Sequence, residues 1–208
     1  MEITAKMVKD LREATGAGPL DCKKALESND GDVKKAIDFL REKGLAKAAK
    51  KLGAGRAMNE GLVQIYSHHN KRLGVMVEVN CETDFVANTD KFQDFARNVA
   101  LQIANLAPQY LRREDVPEAV IQAEREIQRR RAVEEGKKEN VIEKIIDGRM
   151  DKFFEEICLL EQKFIKDDEK TIAQMLSTAV AELGESIQIN RFARFAIGEN
   201  ADTDGGNG

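Results

Sequence analysis

The sequence has no tryptophan and only two tyrosines among 208 residues, so nine phenylalanines carry most of its aromatic surface. Each one takes a large share of the packing, and a phenylalanine left outside the core needs a reason. Prolines number only three, and the chain is rich in Leu, Ala, Lys and Glu, a balance that favours helices. Three cysteines, Cys22, Cys81 and Cys158, lie far apart and fit no CxxC spacing; each sits in an apolar context, so buried reduced thiols are expected. The two histidines, His68 and His69, have no carboxylate or thiol at ligand spacing, which favours a solvated turn over a metal site. No segment approaches the roughly 18 uninterrupted apolar residues of a membrane span. The N-terminus, Met-Glu-Ile-Thr, shows no basic-then-apolar run. A soluble, cytoplasmic chain without a membrane partner is expected. Net charge is −4 and the isoelectric point about 5.5, which argues against a surface built to coat nucleic acid. The local basic runs, Lys47, Lys50 and Lys51 and then Arg129 to Arg131, read as solvated helix face or linker.

What is present is helical periodicity, interrupted once by strands. Ile3, Met7, Val8 and Leu11 recur at helical spacing, and Gly16 to Gly18 ends that helix. Pro19 suits a first helical position with Gly18 as cap, and the second helix runs through Leu20, Cys22, Ala25 and Leu26. Asn29-Asp30-Gly31 is a turn, with Asp30 capping a third helix faced by Val33, Ala36, Ile37 and Leu40 and closed by Gly44. Three short helices over 1–44 predict a small bundle of the ubiquitin-associated type, a size suited to docking. Residues 45–60 read as a linker: a short helix, then a break at Gly53 to Gly55.

The pattern then turns to period two. Residues 61–68 alternate, with Val63 and Ile65 on one face and Leu62, Gln64 and Tyr66 on the other. After a turn at His69 to Arg72, Val75, Val77 and Val79 repeat the inward pattern, giving a β-hairpin. A helix over 90–107 puts Phe92, Phe95, Ala96, Val99, Ala100 and Ile103 on one stripe that must cover the sheet. A third strand is predicted over 187–197. Between them, Val120, Ala123 and Ile127, then Val141, Ile145, Ile146, Phe153 and Ile157 past a break at Gly136, predict an antiparallel helical hairpin at about 115–160, in part a coiled coil. Such an arm either touches a partner or only extends the fold. The fold class is therefore α+β: the bundle, then a core over 61–198 of a three-stranded antiparallel sheet with helices and the hairpin, and a disordered tail over 199–208.

The most unusual stretch is Thr83, Asp84, Phe85, Val86, Ala87 and Asn88, at a strand-to-helix junction. Thr83 or Asp84 can cap the coming helix. Phe85 either folds back onto the sheet or forfeits about 1.5–3 kcal/mol of burial until a partner supplies a pocket.

These six residues, TDFVAN, resemble a signature of the elongation factor Ts family. So do TGAGPLDCKKAL over 15–26, Gly148-Arg149-Met150, the run from Phe154 to Phe164, and Ile189 to Phe195. The resemblance runs in order from Ile3 to about Gly198. It implies a non-enzymatic guanine-nucleotide exchange factor for elongation factor Tu, acting in translation elongation without a cofactor of its own. By that resemblance Thr83 to Asn88 form an exchange wedge: Phe85 inserts between side chains of the GTPase, Asp84 engages beside it, and the elements holding Mg²⁺ and phosphate shift. Pro19, Leu20 and Lys23 become contacts to the nucleotide-binding domain, although many members carry Met or another aliphatic residue where this chain has Pro19. Leu20 could equally belong to the bundle core. Longer members duplicate the core; here no internal repeat is found, which resembles the short form and implies a homodimer through a sheet edge or an exposed core face.

Two rivals stand beside this. An enzyme could be built on Cys81, Glu82 and Asp84, but no base accompanies them and no Gly-rich phosphate loop appears. A helical scaffold or chaperone could bind clients along an apolar arm.

Overall fold

The computed structural model describes residues 3–15, 17–52 and 57–199, excepting the side chains of 45 and 47–52. Gly16, the break at Gly53 to Gly55, the side chains of Lys47, Lys50 and Lys51, and the tail over 200–208 lie outside the described residues. Contacts divide the chain into two compact units, the first made of Met1–Gly61, Asn80–Gln93 and Leu176–Gln188, the second of Leu62–Val79, Asp94–Met175 and Ile189–Gly208.

In the first unit, α1 (Ala5–Thr15), α2 (Pro19–Ser28) and α3 (Val33–Leu52) bury Leu11, Cys22, Ala25, Leu26, Ala36 and Leu40 in one small core. Gly18 caps α2 and Pro19 occupies its first turn, as the spacing predicts. Asp32, not Asp30, caps α3: its Oδ1 accepts from the Lys35 amide at 3.1 Å, while Asp30 takes a left-handed conformation (φ 52°) inside the turn. Val33 is exposed. Nor does Gly44 close the helix, which continues to Leu52. A Cβ at Gly44 would come within 3.3 Å of the Ala181 Cβ, so this glycine permits close approach of two helices.

The three-stranded antiparallel sheet has the order β1-β2-β5, from β1 (Glu60–Ser67), β2 (Leu73–Cys81) and β5 (Ile187–Ala196). Val75, Val77 and Val79 are buried as expected. On β1 the alternation is as predicted but the faces are reversed: Leu62, Gln64 and Tyr66 are half-buried, while Val63 and Ile65 face out. A period of two fixes which residues share a face and leaves the choice of inner face to the tertiary packing. On β5 the inward positions change parity, from the buried Ile187 and Ile189 to the half-buried Phe192, Arg194 and Ala196. At the change Asn190 Nδ2 and Arg191 Nε both donate to the Glu78 carboxylate, at 3.0 and 2.7 Å.

α4 (Asp84–Ala87) and α5 (Asp90–Leu106) follow β2, and the predicted α5 stripe is buried throughout. In the second unit α6 (Glu118–Glu134) and α7 (Glu139–Ile157) form the predicted hairpin, burying Ala132, Ile142, Ile146 and Met150. Arg125 pairs with Asp147 at 3.0 Å and Arg129 with Glu143 at 2.5 Å; numbers rising on one helix as they fall on the other make it antiparallel. The seam is displaced from the expected one, since Ala123 and Val141 are exposed and Gln128 is buried. Arg113 secures the hairpin's base: it pairs with Glu161 and with Asp151 at 2.9 Å and lies 4.6 Å from the centre of the Phe154 ring.

A strand pair and a helix lie beyond what the sequence pattern predicts. The short strands β3 (Lys163–Phe164) and β4 (Asp167–Thr171) pair antiparallel, and α8 (Ile172–Leu183) buries Ile172, Leu176 and Val180. A buried amide pair holds β3: Gln102 Nε2 donates to Gln162 Oε1 at 3.1 Å and to the Lys163 carbonyl at 3.0 Å. Replacing Ile146 with alanine should cost about 2–5 kcal/mol in urea unfolding followed by circular dichroism, against within about 0.5 kcal/mol for Val141→Ala at the exposed edge of the same helix.

Candidate functional site

Strand β2 ends at Cys81, and Thr83 is still extended (φ −133°, ψ 153°) when the chain turns into α4. Thr83 Oγ1 accepts from the Val86 amide at 3.4 Å, so Thr83 rather than Asp84 is the cap. Asn88 Nδ2 donates to the Asp84 carbonyl at 2.9 Å, closing the far end. Thr89 then repeats the device for α5, its hydroxyl donating to the Val86 carbonyl at 2.8 Å and accepting from the Phe92 amide at 3.3 Å. Beneath the turn Cys81 is fully buried and its thiol donates to the Thr83 carbonyl at 3.1 Å. Ala87 is buried, Val86 half-buried and Asp84 exposed. Phe85 is 86% exposed. It does not fold back, and the open alternative closes on the side of an aromatic ring left in water.

The bundle presents a second apolar side chain in the same way. Leu20 is 74% exposed, one residue past the proline that opens α2, while Cys22, Ala25 and Leu26 fill the core. The core alternative for Leu20 is therefore removed. Pro19 and Lys23 are exposed as well, Lys23 lying 3.7 Å from Glu27 in a pair worth little in water. The loop ahead of them rests on Cys22, whose Sγ donates to the Ala17 carbonyl at 3.5 Å, and on Thr15, whose Oγ1 accepts from the Ala17 amide at 3.3 Å.

One residue at this turn has no sequence signal. Glu185, 102 positions from Thr83, accepts from the Thr83 amide at 3.1 Å and from its hydroxyl at 2.7 Å. The contact depends on the α8–β5 turn, and no local pattern marks it.

Cys81, Glu82 and Asp84 do not assemble as a nucleophile with its base. Burial, and then the nearby Glu185 carboxylate, push the Cys81 thiol above its ordinary range. The Glu82 carboxylate is engaged by the Ser186 amide at 2.9 Å. His68 and His69 sit at the β1–β2 turn, where His68 Nδ1 and the Tyr66 hydroxyl lie 2.8 Å apart. No helix among the described residues is long and apolar enough to cross a membrane.

Phe85 and Leu20 are thus exposed apolar side chains on turns held by hydrogen bonds from neighbouring residues. The family model described as Elongation factor TS matches residues 4–199. An elongation factor Ts of Carboxydothermus hydrogenoformans is 58% identical over 197 residues, covering 95% of this chain and 90% of the relative. One from a Thermoanaerobacter species is 57% identical over 97% of this chain and 98% of its own length, and one from Thermosipho melanesiensis 52% identical over 95% and 100%. The chain belongs to the elongation factor Ts family, and with it to the factors of translation elongation.

At about pH 8 iodoacetamide should leave the three buried thiols of the folded chain unmodified and alkylate all three in guanidinium, as read by mass spectrometry. Burial pushes the Cys158 thiol up to about 11. A raised folded value stabilises the native state below the unfolded thiol's pKa of about 8.5, and that contribution fades as pH climbs towards the folded value. Melting temperature should accordingly fall over that alkaline interval, and fall less in Cys158→Ala relative to its own neutral value.

Proposed function

We propose that the protein is a guanine-nucleotide exchange factor for elongation factor Tu and acts without covalent chemistry. The observation that carries this reading is Phe85, held 86% exposed on a capped turn inside the same compact unit as the bundle that presents Leu20. The bundle over 1–44 grips the nucleotide-binding domain through Pro19, Leu20 and Lys23. The core over 61–198 brings the wedge from Thr83 to Asn88 against the elements that hold Mg²⁺.

The energetics set what the wedge must do. A GTPase holding GDP at nanomolar affinity has about 12 kcal/mol of binding, part of which must be offset. The factor accelerates release by binding the nucleotide-free state more tightly, and by reciprocity nucleotide weakens the factor's own binding equally. A shift of ~10⁴ in the conformational equilibrium needs roughly 5.5 kcal/mol of differential contact. Burying Phe85 contributes about 1.5–3 kcal/mol of that. Asp84, exposed beside it, places a negative charge where the partner's metal and phosphates are balanced, and loss of the metal removes their main counter-charge.

The active form in this proposal is a homodimer. Val63 and Ile65 on β1, Met76 on β2 and Phe195 on β5 are exposed, Ile65 at 63% and Phe195 at 73%. They form an apolar outer sheet face of the kind monomers rarely leave open. A second copy covers it and supplies the half that longer family members carry within one chain. The relatives' matching lengths support the short form. The protein works in the cytoplasm, with neither nucleic acid nor membrane as a partner.

The test is the release of a fluorescent GDP analogue from elongation factor Tu. The protein should accelerate it strongly, Phe85→Ala should lower the limiting rate by about tenfold or more, and Leu20→Ala should mainly raise the concentration needed for half-maximal effect. No acceleration by the folded protein would overturn the proposal. For the dimer, sedimentation at micromolar concentration should give twice the chain mass, and Ile65→Asp should give the single chain.

A further inference from the structure

Phe85 gains almost no packing of its own, being 86% exposed, so its direction comes from the backbone of α4. That helix is a single turn of four residues, and a first turn fixes several dihedrals for one hydrogen bond. Something outside it must hold it.

The side chain that starts the turn is itself held. Thr83 Oγ1 has one proton and two lone pairs. The proton goes to Glu185 Oε1 at 2.7 Å, which orients a lone pair to the Val86 amide at 3.4 Å. The other carboxylate oxygen, Oε2, takes the Thr83 amide at 3.1 Å. The arrangement is reciprocal: Glu82 Oε1 accepts from the Ser186 amide at 2.9 Å, so the pairs 82–83 and 185–186 exchange carboxylate-to-backbone bonds in both directions. Lys91 and Glu182, 2.9 Å apart, join the start of α5 to the end of α8 behind this clasp. Gly184 makes it possible, with a left-handed φ of 76° that ends α8 and turns Glu185 towards Thr83.

We propose that Glu185 is a positioning residue for nucleotide exchange: by holding the Thr83 amide and hydroxyl on its two carboxylate oxygens it sets the direction in which Phe85 is presented. This rests on the exchange reading above. Without the clasp the turn samples other directions, and its ordering is deferred to the complex. The bundle still docks, so the deficit falls on the limiting release rate.

The chain has no tryptophan, so Phe85→Trp places a single reporter on the wedge. In that background Glu185→Ala should leave far-ultraviolet circular dichroism unchanged and lower the slow-phase amplitude of the tryptophan's anisotropy decay by about half. In the otherwise natural chain Glu185→Ala should reduce the limiting GDP release rate about tenfold, with the half-saturating concentration within about twofold. Glu185→Gln, which keeps one carbonyl acceptor, should recover part of the rate. Thr83→Ser should retain it and Thr83→Val lose it, with Glu185→Ala adding less than about twofold on top of Thr83→Val.

Two results overturn the proposal. One is a rigid tryptophan in the folded Glu185→Ala variant, because any loss of rate would then come from direct contact with the GTPase. The other is a mobile tryptophan with an unchanged release rate. Failure of the exchange reading looks different: Phe85→Ala would leave release unaffected whatever the anisotropy reports.

Discussion

A one-turn helix cannot sustain itself, and α4 persists because the Thr83 hydroxyl serves two masters, accepting from the helix it starts and donating to a carboxylate far along the chain. Phe85 forgoes its burial on this turn, and in the proposed function a partner restores it. Cys81 presses on the same turn from below through the Thr83 carbonyl, and Asn88 and Thr89 pass the chain on to α5. An exposed ring on a loose loop would lose in ordering entropy much of what its burial in a partner gains. Bracing the turn removes that cost in advance.

The bundle follows the same logic with different parts. Proline fixes the first turn of α2, Thr15 and the Cys22 thiol steady the loop ahead of it, and Leu20 is left outside. In both places a buried cysteine donates to a backbone carbonyl two or three residues ahead of the exposed apolar residue. Neither thiol is a nucleophile in this arrangement; each is a small apolar side chain with one weak donor, which is what a tight site beneath a turn accepts. The sheet adds a third apolar surface, the outer face with Ile65 and Phe195, which the proposed homodimer covers.

Much of the fold was legible in the sequence wherever one periodicity held over a long enough run. The α5 stripe from Phe92 to Ile103 was readable residue by residue because a burial period near 3.6 leaves little choice of face. The bundle helices and the hairpin of α6 and α7 were readable as elements, though Val33, Ala123 and Val141 stand exposed. Readings failed where a local signal was symmetric or a residue had two uses. The alternation in β1 could face either way, and Gly44, read as a stop, is a point of close approach to Ala181. Asp30 and Asp32 both suit a cap, and the turn's left-handed residue decided between them. Ile172, Leu176 and Val180 do have helical spacing, but over a short run, while β3 is held by Gln102, whose partners lie some sixty positions away.

The candidate site divides along the same line. The sequence by itself determined the cap at Thr83 or Asp84, the presence of Phe85 beside an acid, the proline-initiated α2 and the family, because each depends on neighbours a few residues apart. Tertiary structure alone decided that Phe85 and Leu20 stand outside, that β1 shows Val63 and Ile65 to solvent, and that Glu185 meets Thr83. The physical reason is that burial and carboxylate-to-backbone pairing are relations between segments brought together by packing. Thr83 and Glu185 lie 102 positions apart, and no local preference reaches across that distance.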